Sequence, residues 1–246
     1  MTHLFDWQGV LSGQPLQWII SGFLTTLWVT LAGIVLASLL AILFLALRLS
    51  GGRVGRGITA AWVSLFRNTP LLVQLLFWYF AAWNLLPQGV REFVNDDHGW
   101  SILPGDVWWL TPEFLCSAWG LGVFTSAFLI EEAASGLHSV SNGQREAALA
   151  LGVSNPSVML DIVMPQALKS TLPGLVNEMI NLLKNTSLVS CISLVDLLRA
   201  AQMIISKSYR AFEPLLTVAI IYYILVGILA IISRRVERWV NISDRR

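Results

Sequence analysis

Between residues 171 and 191 an apolar run is interrupted by Asn177, Glu178, Asn181, Lys184 and Asn185. At about 100° per residue these five fall within about 120° of one helical face. Such a stripe cannot face lipid, because an ionisable group at membrane depth costs several kcal/mol unless it lines water or meets a partner. Glu178 and Lys184 lie about 9 Å apart along the axis and about 120° around it, so each needs a partner other than its neighbour. Two readings follow. In the first, the face lines a pathway, with amides binding the charged groups of a solute and Lys184 attracting a carboxylate. In the second, Lys184 snorkels to the outer surface and Glu178 pairs with a neighbouring helix or a second subunit.

Other chemistries lack their residues. His3, His98 and His138 all lie outside the apolar runs, which argues against intramembrane haem ligation or a zinc protease site, and no His-Glu-x-x-His motif occurs. A serine-based intramembrane protease has serines available but no paired histidine or suitable lysine base. No phosphate-cradling loop of glycine, lysine and serine or threonine is present, so any ATP acts on another chain. The sequence thus predicts no catalytic residue, no metal site and no cofactor on this chain. Cys116 and Cys191 sit in or beside apolar stretches and read as small hydrophobes, without a disulfide or redox role.

The elements that position these residues follow from composition. Of 246 residues, 55% are hydrophobic and only 13% charged, and the mean hydropathy is +0.66. That excludes an ordinary soluble domain. The balance of 16 Lys and Arg against 15 Asp and Glu argues against nucleic-acid binding by bulk charge. A membrane helix needs about 20 apolar residues, and uncharged or nearly uncharged runs predict five, over 18–47, 68–86, 113–133, 171–191 and 214–233. The runs are continuous, not alternating, which rules out a β-barrel. The expected fold is therefore an all-α integral membrane protein, one transmembrane domain over 1–246. The first run is too long for a signal-peptide core and is retained as a span. Its Thr25, Thr26, Thr30, Gly33 and Ser38 either allow close helix packing or are ordinary span composition.

Basic residues choose the orientation. Arg234, Arg235, Arg238, Arg245 and Arg246 follow the last span, whereas no Lys or Arg precedes Trp18. This predicts a cytoplasmic C-terminus and an outside N-terminus. The first loop, with Arg48, Arg53, Arg56 and Arg67, then falls inside, and the second, with Arg91 against Glu92, Asp96, Asp97 and Asp106, outside. Arg145 and Lys169 agree; Arg199, Lys207 and Arg210, between the last two spans, dissent. On the outer side Trp100, Trp108, Trp109 and Trp119 suggest an interfacial belt. Asp96, Asp97 and Asp106 either contact a partner or form a solvated acidic loop.

The cytoplasmic segment 134–170 is too long for a simple connection. Ser141 with Gln144 three residues on matches a capping box, predicting a helix through Leu151 that Gly152 ends. Asn155-Pro156 then starts a second short helix, with Asn155 as cap, carrying Val158, Met159, Ile162 and Val163 toward Pro165. Such a pair either docks into a groove on a soluble partner or lies on the membrane surface.

Glu146-Ala147-Ala148, then Gly152, Ile162 and Pro165 with Gln166-Ala167, resembles the EAA loop of bacterial ABC importer permeases. The one departure is Met164 in place of the usual leucine, a volume-conserving change. Phe66-Arg67-Asn68-Thr69-Pro70-Leu71-Leu72-Val73-Gln74 and Lys184-Asn185-Thr186-Ser187-Leu188 resemble the polar amino acid branch of that family. Leu194-Val195-Asp196 through Tyr209, Phe212-Glu213 and the long outer loop look most like glutamate/aspartate permeases.

The resemblance implies the type I importer fold and a bacterial cytoplasmic (inner) membrane location. It implies a homologous permease partner in a homo- or heterodimer, two ATP-binding subunits carrying ATP and Mg, a periplasmic or extracellular solute-binding protein and a polar amino acid as substrate. Glu146, Ala147, Ala148, Gly152, Ile162 and Pro165 become the ATPase-coupling residues, and Asn177, Glu178, Asn181, Lys184, Asn185 and Thr69 line the pathway. On physical grounds alone Thr69-Pro70 reads as a helix entry point; the resemblance makes it a fixed turn near the gate. The rivals are a stand-alone ion-coupled carrier, which an intramembrane charge also suits, and an importer of another polar amino acid.

Overall fold

The computed structural model describes residues 5–96 and 107–243. His3, Asp97, His98, Trp100, Asp106, Arg245 and Arg246 lie outside the described residues. Of the described residues 87% are helical. Its α-helices are α1 (Trp7–Val10), α2 (Gly13–Ser50), α3 (Gly52–Asn68), α4 (Leu71–Leu76), α5 (Gln88–Asn95), α6 (Pro112–Ser139), α7 (Asn142–Ala150), α8 (Asn155–Ser157), α9 (Met164–Asn185), α10 (Leu197–Ser208) and α11 (Phe212–Ser243). π-helical turns occupy Phe77–Ala82 and Val158–Val163, and 3-10 turns occupy Trp83–Leu85 and Thr186–Ile192.

Length and apolarity mark α2, α6 and Phe212–Arg235 of α11 as membrane spans, and these contain the expected runs 18–47, 113–133 and 214–233. Asn155–Ile192 qualifies together with Leu197–Ser208, from which it is bent by 44°. The expected run 171–191 therefore lies inside a longer helix. Leu71–Leu85, inside the expected run 68–86, is a shorter apolar helix.

α2 is the spine. Thr25, Thr26, Thr30 and Gly33 are buried, so the small and hydroxyl residues of this helix serve packing. Their hydroxyls return to their own helix, Thr26 Oγ1 donating to Gly22 O at 2.9 Å and Thr30 Oγ1 to Thr26 O at 2.6 Å. The three threonine hydroxyls are thereby paired within the helix, and the backbone of a neighbouring helix can approach. α2 packs along α6, on α3 and on α10, while α6 packs on α9 and α9 on α11. At Gly22 a Cβ would stand 2.7 Å from Asp196 O, so only glycine admits the start of α10 there. Lipid is as apolar as leucine, and dispersion and hydrogen bonding hold these contacts more than water exclusion does. The largest core joins Val29, Leu75, Leu121, Leu182, Val189 and Ile192.

The expected first cytoplasmic loop is a helix, α3. Gly55, Thr59, Val63 and Phe66 are buried at helical spacing, and Val63 packs with Ala37, Ala41, Leu129 and Ile130. α3 thus reaches beside the middle of α2. It escaped the hydropathy reading because Arg53 and Arg56 occupy its exposed face. Arg67, at its end, places its guanidinium 5.1 Å from the Phe128 ring centroid, a cation–π contact.

α11 is the least covered span, with Ile220, Tyr223, Ile224, Ile228 and Ile231 exposed. Asp6 N donates to Glu213 Oε1 at 2.9 Å, tying the chain start to its foot. The basic residues between the last two apolar runs each have a local partner: Arg199 donates to Gln202 Oε1 at 3.2 Å. Lys207 Nζ lies 4.2 Å from the Trp18 ring centroid, and Arg210 pairs with Glu213 at 3.3 Å.

Candidate coupling loop and transport face

α6 ends at Ser139, and the chain turns into α7 with Ser141 as N-cap, its Oγ accepting from Gly143 N at 3.2 Å. The reciprocal half of the expected capping box does not form. Gln144 instead accepts from Gln166 Nε2 at 2.6 Å, bonding α7 to the first turns of α9. Gly152, at φ +80°, closes α7 with paired bonds, Val153 N to Ala148 O at 3.1 Å and Gly152 N to Leu149 O at 3.0 Å. That is the Schellman arrangement, whose left-handed residue carries no side-chain penalty when it is glycine.

The restart differs from expectation in two ways. Ser154, not Asn155, is the cap, its Oγ accepting from Ser157 N at 3.4 Å, and Pro156 follows in the first turn. The helix also does not stop at Pro165. The π-turn Val158–Val163 precedes it and Pro165 falls in the first turn of α9, where local register, not a break, accommodates the missing N–H. The second loop helix is therefore the root of the long helix Asn155–Ile192.

Ala148, Val158 and Val163 are buried together, with Leu137, Val140, Met159 and Ile162 packed around them. The loop thus has its own small core. Glu146, Ala147, Leu149 and Ala150 are exposed and Leu151, the C-cap, is 85% exposed, so α7 and its cap show an outward face of one carboxylate, small residues and two leucines. Among the expected coupling residues, Ala148 and Ile162 meet in this core, Gly152 forms the bend, and Glu146, Ala147 and Pro165 stand exposed.

On α9, Asn177 and Lys184 are exposed and Glu178, Asn181 and Asn185 half-buried. None of the five side chains has a hydrogen bond or ion pair among the described residues, and Glu178 and Lys184 do not pair. Thr69 does not join them through its hydroxyl, which donates to Leu65 O at 2.8 Å.

Two arrangements were missed by sequence reasoning. At the break Thr69 is extended, as the following proline demands. Buried Gln74 spans it, Nε2 donating to Phe66 O and Thr69 O, both at 3.0 Å. A glutamine four residues beyond the proline is the visible signal. Asp196, fully buried, caps α10 by accepting from Arg199 N at 2.9 Å, while Leu197 N donates to Thr26 Oγ1 at 3.1 Å. Thr186 Oγ1 and Tyr222 Oη lie 3.2 Å apart nearby, so a polar knot joins α2, α10 and α11 at the 44° bend.

Residues 33–242 match the family described as binding-protein-dependent transport system inner membrane component. The chain belongs to that family. It is a multi-pass membrane permease of the ABC importer type. Over 227 residues it is 30% identical to the glutamate/aspartate import permease protein GltJ of Escherichia coli (strain K12), covering 92% of this chain and 89% of that one. Over 229 residues it is 32% identical to the arginine transport system permease protein ArtQ of Bacillus subtilis (strain 168), covering 93% and 95%. A crystal structure of an amino acid ABC transporter with histidines superposes on the permease with a TM-score of 0.78 at 30% identity, covering 96% and 99%. The methionine transporter MetNI, inward facing, matches at a TM-score of 0.65 and 18% identity, covering 93% and 99%, which speaks for the fold.

Proposed function

We propose that this chain is the membrane subunit of an ATP-driven, binding-protein-dependent importer of polar amino acids, glutamate and aspartate before others, in a bacterial inner membrane. It forms one transmembrane domain of five crossings, N-terminus outside and C-terminus cytoplasmic, the second crossing combining α3 with Leu71–Leu85. It pairs with itself or a homologous permease, binds two ATPase subunits through α7 and receives substrate from a solute-binding protein outside.

The observation that carries this reading is the construction of α7, capped at both ends, seated on its own core and bonded by Gln144 to the root of α9. ATP-driven motion of a soluble subunit reorients a membrane helix only through a stiff contact. A push on Glu146, Ala147 or Leu151 is passed to α9, whose unpaired amides and Lys184 form the transport face. The opposite end of α9 runs into the bend held by Asp196, the second place where such a motion can be taken up. Glutamate and aspartate are favoured by the likeness to GltJ, not by Lys184, because the α-carboxylate that an ammonium attracts is common to all amino acids.

Reconstituted with its ATPase and binding protein, the complex is expected to raise ATP hydrolysis with L-glutamate or L-aspartate and not with glutamine, arginine or histidine. Stimulation by one of the latter keeps the permease and replaces the substrate. Uptake by the pure chain under an ion gradient makes it a carrier instead.

A further inference from the structure

Where α2 and α6 end against α7 there is a cleft of about 290 Å³ whose polar lining is Arg48, His138, Ser141, Asn142 and Arg145. Arg145 has no hydrogen bond or ion pair among the described residues. Arg48 gives Nη1 to Glu131 at 2.7 Å, which leaves donors of its five-donor guanidinium unused. His138 Nδ1 lies 2.6 Å from Ala134 O. A carbonyl only accepts, so Nδ1 carries the proton; Nε2 of the neutral ring is then an acceptor, and the anion-binding donors of the cleft are the two guanidinium groups, Ser141 and Asn142. The remaining wall is apolar and includes Leu45 and Leu49 of α2. One turn further along the span the row continues in Ile42, 67% exposed, with Leu49 itself 47% exposed.

Cationic donors at one end of an apolar track are complementary to an anion that carries a hydrocarbon tail, and free phosphate has no use for the track. We propose that the cleft holds the phosphate of an anionic phospholipid, with an acyl chain along Ile42, Leu45 and Leu49. The placement in the cytoplasmic leaflet rests on the orientation proposed above. Basic pockets between membrane helices on that side are suited to lipid headgroups. Bound there, the lipid bridges the ends of two spans and the first turn of α7, so it braces the coupling loop against the bilayer.

The test is a titration of the purified full-length chain in detergent, followed by native mass spectrometry, with phosphatidylglycerol and phosphatidylcholine of identical chains. The wild type is expected to prefer phosphatidylglycerol, and Arg145→Gln to weaken that binding about fivefold, the weight of one basic residue near a membrane surface. Arg145→Lys should recover most of it, and Arg53→Gln, on the exposed face of α3, should leave it unchanged. Equal affinity for both lipids, or an equal effect of Arg145→Gln and Arg53→Gln, overturns the proposal. Displacement of the lipid by millimolar inorganic phosphate overturns it too, making the cleft a free-phosphate site. The titration needs no ATPase subunit and therefore reads the cleft independently of the transport function.

Discussion

Gln166 Nε2 donates to Gln144 Oε1 at 2.6 Å, across 22 residues of sequence, and so fastens α7 to the root of the long helix that carries Asn177, Glu178, Asn181, Lys184 and Asn185. The pair is exposed, so its worth in stability is small. Gln166→Leu is expected to cost about 0.5–1.5 kcal/mol while lowering the amount of substrate moved per ATP hydrolysed. The check is the ratio of uptake to hydrolysis in one proteoliposome preparation; an unchanged ratio removes the bond from the coupling route.

Gly152 at φ +80° is the second fixed point of the loop. A β-branched side chain there meets a left-handed backbone penalty of about 1–2 kcal/mol. Gly152→Val should reduce recovery of ATPase subunits in a pull-down through this chain, and Gly152→Asn should be milder, because asparagine visits that region more readily.

Gln74 satisfies two carbonyls at the Thr69–Pro70 break. Gln74→Leu leaves both without that donor, at an expected cost of about 1–3 kcal/mol, read as a lower midpoint of thermal unfolding in detergent. Thr69→Ala, which removes one hydroxyl bonded within its own helix, should shift the midpoint far less.

At Gly22 the backbone of Asp196 lies where a side chain would begin. Gly22→Val is expected to force α2 from α10 and to cost about 1–3 kcal/mol by overpacking. Gly57, with nothing within 4 Å of a Cβ, is the matched control, and Gly57→Ala should be neutral or slightly stabilising. Equal midpoints for the two variants would show that the α2–α10 contact does not limit stability.

The parts legible in the sequence were those set by local chemistry. Ser141 and Gly152 delimit α7 because capping and left-handed closure need those residue types, and the long apolar runs of α2, α6 and α11 declare themselves through hydropathy. What hid were features that depend on partners distant in sequence. α3 reads as a loop in the sequence because Arg53 and Arg56 mask a stripe whose meaning comes from Ala37, Ala41 and Leu129 opposite. The sequence predicts a separate short helix toward Pro165 because nothing local announces the π-turn that lets the helix run on. Lys207, one of the basic residues that dissent from the orientation rule, finds its partner in Trp18, far away in the chain. On α9, the spacing of the five polar residues is visible in the sequence, and so is the lack of a partnership between Glu178 and Lys184. The buried knot around Asp196 needed Thr26 and Tyr222, which lie far away in the chain.

The central claim is that α7 meets the ATPase and drives the membrane helices, and a cysteine placed on its outward face tests this most directly. With Cys116 and Cys191 replaced by alanine, Ala147→Cys in the co-purified complex, treated with a thiol-to-amine cross-linker that contains a cleavable disulfide, is expected to link to an amine of an ATP-binding subunit and to lose ATP-driven uptake until the linker is reduced. Tyr209→Cys, 92% exposed at the far end of α10, should form no such link. A link at Tyr209 and none at Ala147 would contradict both the orientation and the coupling role of α7.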